Sequence, residues 1–108
     1  MSQKVYCIAS FEAKEGKEKE LIEVLQGLEP ITTREDGCIQ YLVTKQFSHP
    51  NGPGKSFPIV FNEIWASKEA FELHCNKSYI TDFFQKQCVD KDGLVKDFNV
   101  CVYTDEIN

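Results

Sequence analysis

Between Phe61 and His74 the hydrophobic period of the chain changes from that of a strand to that of a helix across a two-residue break. Phe61, Glu63 and Trp65 share one face of the strand, while Asn62 and Ile64 point the other way. Ser67 reads as an N-cap, and Glu69 falls in the first helical turn, where the helix dipole favours a negative charge. On the helix that follows, Ala70 and His74 stack four residues apart, with Phe71 and Cys75 beside them. A strand that feeds so directly into a helix brings the chain's one Trp, a Glu two residues before it and one of two His to the layer between sheet and helix. That layer is the candidate site.

The remaining segments extend the same architecture. Val5, Cys7, Ala9 and Phe11 alternate with Tyr6, Ile8 and Ser10, both sets fairly apolar, which predicts a central strand. Leu21, Val24, Leu28 and Ile31, with Leu25 beside them, form the apolar stripe of a helix starting near Lys17. Gly27 and Pro30 weaken that helix, so a kink or an end is expected near them. After the charged turn Arg34-Glu35-Asp36-Gly37 a second strand is expected from Cys38 to Phe47, then a turn-rich loop over residues 48–56. Gly54-Lys55-Ser56 resembles the end of a phosphate-binding loop, but His49 stands where the motif requires Gly and a strand follows instead of a helix. Ser78 is positioned to cap a short helix carrying Ile80, Phe83 and Phe84, and Val95 to Tyr103 alternates as a last strand. The order β-α-β-β-α(α)-β predicts an α+β, ferredoxin-like domain spanning residues 1–108, with a four-stranded antiparallel sheet and helices on one face. A chain of this size covers only one face of such a sheet, so the apolar residues on the other face predict a homodimer.

Composition narrows the function. Seventeen acidic against twelve basic residues give a net charge of −5 without a basic cluster, which argues against nucleic acid and anionic membrane as partners. The five cysteines, Cys7, Cys38, Cys75, Cys88 and Cys101, are widely spaced and contain no C-x-x-C pair, so neither a zinc site nor a dithiol motif is indicated. No apolar run reaches the ~18 residues of a membrane helix. The opening residues Met1-Ser2-Gln3-Lys4 run into a strand without an apolar signal core, which predicts a cytoplasmic protein.

Three stretches taken in order, Arg34 to Tyr41, Glu63-Ile64-Trp65 and Ala70 to His74, resemble the signature of the antibiotic biosynthesis monooxygenase family. The resemblance covers about residues 4 to 88. It implies a dimeric α/β barrel of two ferredoxin-like subunits, each with a pocket between sheet and helices. It also implies oxidation of a small electron-rich aromatic (a quinol, phenol or anthrone) by molecular oxygen, with no metal, haem or flavin as cofactor. A deprotonated quinol or anthrone can itself reduce oxygen, so the protein needs only to bind and desolvate it, take a proton and stabilise the anion.

Carried onto this chain, the resemblance makes His74 the base or the hydrogen-bond partner of the phenolic oxygen, with Glu63 orienting it or a substrate hydroxyl. Trp65 and Tyr41 would form an aromatic wall, Phe83 or Phe84 would close the pocket, and Asn62 would offer an amide, although alternation puts it on the face opposite Trp65. A haem-degrading branch of the superfamily shares the Trp. Its haem-ligating His corresponds to Phe84 or Gln85 here, and its strand Asn to Ala9, which disfavours haem chemistry. The rival reading is a non-catalytic dimeric protein of the same fold that binds a small ligand or serves a stress response.

Overall fold

The computed structural model describes residues 3–108; Met1 and Ser2, which open the segment read above as lacking a signal core, lie outside the described residues. The elements are β1 (Val5–Ala13), α1 (Glu18–Thr32), β2 (Cys38–Lys45), β3 (Ile59–Trp65), α2 (Lys68–Cys75), α3 (Ser78–Phe83), a π-helical segment (Phe84–Val89) and β4 (Val95–Thr104). The strands form one antiparallel sheet in the order β2-β3-β1-β4. This is the ferredoxin-like layout that the alternating periods predicted.

Register explains which side the helices cover. Val5 pairs with Trp65, Cys7 with Glu63, Ala9 with Phe61 and Phe11 with Ile59, so these residues share the inner face, and all are buried. Leu21 and Leu25 of α1 complete the apolar core over them. Each fully buried side chain of this kind contributes roughly 1.5–3 kcal/mol. The outer face carries Tyr6, Ile8, Val60, Ile64 and Leu42, half-buried or exposed. The molecule is 21 Å thick in its thinnest direction, the depth of one sheet and one helical layer. Phe98, Val100 and Val102 of β4 pair with Phe11, Ala9 and Cys7 on the helix side, yet they remain exposed. The helices α1 and α2 pack mainly over β1, β2 and β3, and the π-helical segment is the helical element packed most closely on β4.

Helix α1 ends at Thr32, two residues past Pro30, as expected, and its last turn keeps the bond from Thr33 N–H to the Glu29 carbonyl. Three local expectations need correction. Ile31 leaves the buried stripe and is exposed, while Thr32 is fully buried in its place. The second strand stops at Lys45, and Phe47 projects into solvent from the loop. Ser78 is the first residue of α3 rather than its cap; Lys77 takes the cap position without a side-chain bond. The cap read at Ser67 is present, its hydroxyl accepting from Ala70 N–H at 3.1 Å.

One close approach fixes the geometry of the site. Gly37, in the turn before β2, has φ +83°, and a Cβ there would lie 2.5 Å from the Ala70 Cβ. Its carbonyl accepts from Ala66 N–H at 2.7 Å. The charged turn is thereby locked onto the start of α2, one helical turn before His74.

Candidate active site

A cavity of about 310 Å³ lies between the inner face of the sheet, the last turn of α2, α3 and the π-helical segment. Its walls are mainly apolar, with Ala9, Phe71, Ile80, Phe84, Val89 and Val100, and the Cys7 and Cys75 thiols lie among them. Its polar corner is made by Glu63 and His74, side chains that are about 95% buried.

His74 is held from behind. Its Nδ1 lies 2.9 Å from Glu35 Oε2, and the Tyr79 hydroxyl donates to that same oxygen. Thr32 Oγ1 meets the Tyr79 hydroxyl at 2.9 Å, which ties the end of α1 to α3 and to the charged turn. A carboxylate only accepts hydrogen bonds, so this network assigns the imidazole proton to Nδ1. Nε2 is left with its lone pair, facing Glu63 Oε1 at 4.0 Å, beyond hydrogen-bond reach. Two aromatic rings hold the imidazole in place: Trp65, with ring centroids 4.4 Å apart, and Tyr41, at 5.5 Å.

Glu63 is the one acid in the inner row of β3, flanked by Phe61 and Trp65. Burial pushes its carboxyl up to about 7, only partly offset by hydrogen bonds from the Trp65 indole, at 3.0 Å, and the Cys7 thiol. Burial also lowers the His74 imidazole below its usual range, against the hydrogen bond and charge of Glu35, which raise it. Burial therefore leaves a neutral imidazole able to take a proton, beside a carboxyl able to hold or release one near neutrality.

The seven residues expected at the site separate into three sets. His74, Glu63 and Phe84 line the cavity. Tyr41, Trp65 and Phe83 do not: they are buried core residues, with Phe83 edge-on to Phe11 at 5.9 Å. Tyr41 and Trp65 form a wall behind His74 and not against the cavity. Asn62 is on the outer face, its amide donating to Thr44 Oγ1 at 2.8 Å, as its place in the β3 alternation requires. The partner of the His74 Nδ1 is Glu35, while Glu63 faces Nε2. Glu35 and Tyr79 were not identified from the sequence. The available signal was that a carboxylate adjoins a glycine needing positive φ, at a turn that must approach another element closely. Among the described residues no group of three or more His, Cys, Asp or Glu is arranged to hold a metal ion, and no helix is long and apolar enough to cross a membrane.

Fold and site together define a ferredoxin-like α+β domain with a pocket between its sheet and helices, at whose corner a buried histidine and carboxyl meet. Residues 4–86 match the family described as antibiotic biosynthesis monooxygenase, and the chain belongs to that family. It is 36% identical to protein SO0527 from Shewanella oneidensis, with a TM-score of 0.77 over 96% of this chain and 92% of that one. PA3566 from Pseudomonas aeruginosa is 22% identical, with a TM-score of 0.73 over 95% of this chain and 94% of that one. A Dabb family protein with a ferredoxin-like fold from Mesorhizobium loti is 16% identical, with a TM-score of 0.72 over 94% and 96% of the two chains. At these lower identities the likeness concerns the fold alone. No curated protein matches the chain.

Proposed function

We propose that this protein is a cofactor-independent monooxygenase that oxidises a small electron-rich aromatic, of quinol, phenol or anthrone type, with molecular oxygen. The observation that carries the reading is the imidazole of His74. It is anchored through Nδ1 to a buried carboxylate and presents an unbonded Nε2 to an apolar cavity. Nε2 takes the proton of the bound aromatic, and Glu35 stabilises the imidazolium that forms. The resulting anion, held out of water, passes electrons to oxygen. For an anthrone-type methylene, one oxygen atom becomes the new carbonyl and the other leaves as water with the two methylene hydrogens, the substrate supplying all four electrons. For a quinol the two-electron version gives quinone and hydrogen peroxide.

The working form in this proposal is a homodimer, with the outer sheet faces, bearing Ile8, Ile64 and Leu42, packed together. The test is oxygen uptake by metal-free protein with 1,4-dihydroxynaphthalene and anthrone, corrected for autoxidation. Wild-type protein accelerates uptake, and His74→Ala loses about 10²–10⁴-fold of that acceleration with its circular dichroism intact. No uptake from a folded protein would overturn the oxidative reading in favour of ligand binding without turnover.

A further inference from the structure

Hydrogen-bond donors and acceptors are unevenly distributed around the cavity. The Trp65 indole N–H is engaged by Glu63 at 3.0 Å, and the Cys7 thiol also bonds to Glu63. The Gln85 amide donates to Asp90 Oδ1 at 2.7 Å, the Thr81 hydroxyl donates to the Ser78 carbonyl at 3.1 Å, and His74 Nδ1 is committed to Glu35. Among the described residues no Lys or Arg lines the cavity. The groups that remain free at the polar corner are His74 Nε2 and the Glu63 carboxyl, both acceptors once Glu63 is ionised. The wall there is the last turn of α2, the negative end of a helix dipole. A second carboxylate, Glu35, stands directly behind the imidazole.

From this imbalance we infer that Glu63 sets a charge filter: the cavity admits aromatic ligands that bring a hydrogen-bond donor to the corner and rejects those that bring an anion there. This deepens the reading of the cavity as the substrate site and rests on it. An uncharged hydroxyl donates to Nε2 and lies beside Glu63 without cost. A carboxylate or sulfonate in the same place meets the ionised Glu63 carboxyl and the helix end in a low-dielectric pocket, with no Lys or Arg in the lining to pair with it; Lys77, whose charge reaches His74, stands outside that lining. The filter also suits a base-initiated reaction, since a ligand that arrives already ionised at that position brings no proton for His74 to take.

The test measures binding and not turnover: calorimetric titration under nitrogen at about pH 8, where Glu63 is mostly ionised, with 1-naphthol and with 1-naphthoate, which share one ring frame. The naphthol binds at least about tenfold more tightly than the naphthoate to wild-type protein, and Glu63→Gln narrows the gap. Because a substitution at a buried acid can disturb folding, Val89→Lys provides a second arm. Val89 lines the cavity and is exposed, so a lysine there supplies the missing cation and raises naphthoate affinity without entering the core. Equal affinity for the two probes in wild-type protein would overturn the filter. Absence of binding by either would overturn both the filter and the substrate-site reading. Selective naphthol binding without oxygen uptake would uphold the filter and overturn only the oxidative chemistry.

Discussion

Where Phe11 pairs with Ile59, the inner face of the sheet is dry: Phe61, Leu21 and Leu25 close over it, and each of these side chains is at least 98% buried. Where Cys7 pairs with Glu63, the same face carries a carboxyl, an imidazole and a cavity, all reached through the same alternation along β1 and β3. The first end is organised by packing, and apolar side chains of similar volume would serve it nearly as well. The second holds a buried acid whose ionised form the surroundings penalise, a cost with no packing benefit to offset it. Stability and chemistry are therefore divided along one strand pair, and the most informative substitutions are those that treat the two ends differently.

The largest effect is expected at the dry end. Leu25→Ala removes a fully buried side chain from α1 and leaves a void against a sheet that cannot collapse to fill it. It should cost about 4 kcal/mol, read as a lower denaturant midpoint at unchanged slope. Affinity of the folded protein for 1-naphthol should not change. A loss of affinity in step with stability would show that the two ends are one cooperative unit and erase the division.

A smaller effect, of the opposite kind, is expected from Glu63→Gln. The Glu63 carboxyl rises from 4.5 unfolded to about 7 folded, so the native state binds the proton more tightly. The stability this group contributes is fully present below pH 4.5 and is lost as pH rises through about 7. The loss is ~3 kcal/mol at 1.36 kcal/mol per pK unit. His74 acts in the opposite direction, since its lowered pKa gives stability that is lost on acidification, but it is common to both proteins. The difference in unfolding free energy between wild type and variant, followed from pH 4 to 8, should therefore move steadily against the wild type. A flat difference would mean that Glu63 is ionised in the folded protein without penalty.

The legible and the illegible parts of this site follow the same division. Glu63, Trp65 and His74 were found because strand and helix periods determine which face a side chain takes, and all three share a face. Period does not determine depth, so Trp65 and Tyr41 were placed on the ligand side of His74 when they lie behind it. Glu35 stands in a charged turn, where no period assigns a side chain to a face. It is buried only because Gly37 lets its turn close onto Ala70, a contact made between distant segments. The π-helical segment escaped for a similar reason. Phe84 and Gln87 keep helical spacing, and the constraint appears only where Gly93 packs so closely on the Gln87 carbonyl that a Cβ would lie 2.3 Å from it.

The smallest and most specific effect is expected from Tyr79→Phe, which keeps the ring and removes one hydroxyl. That hydroxyl bonds both Glu35 and Thr32, so its loss should cost about 1 kcal/mol of stability. Stability alone would not separate a positioning role from a structural one, but the titration of His74 does. With the phenol gone, Glu35 Oε2 loses a competing donor and holds the imidazolium more strongly, so the His74 pKa should rise. Glu35→Gln removes the charge and should send it the other way, down from the wild-type value. Imidazole proton resonances followed against pH in the three proteins give this comparison directly. Opposite displacements in the two variants would establish that Glu35 and Tyr79 tune the base from outside the cavity. Displacements of the same sign would mean that His74 responds to loosened packing, and its orientation would then rest on Trp65 and Tyr41.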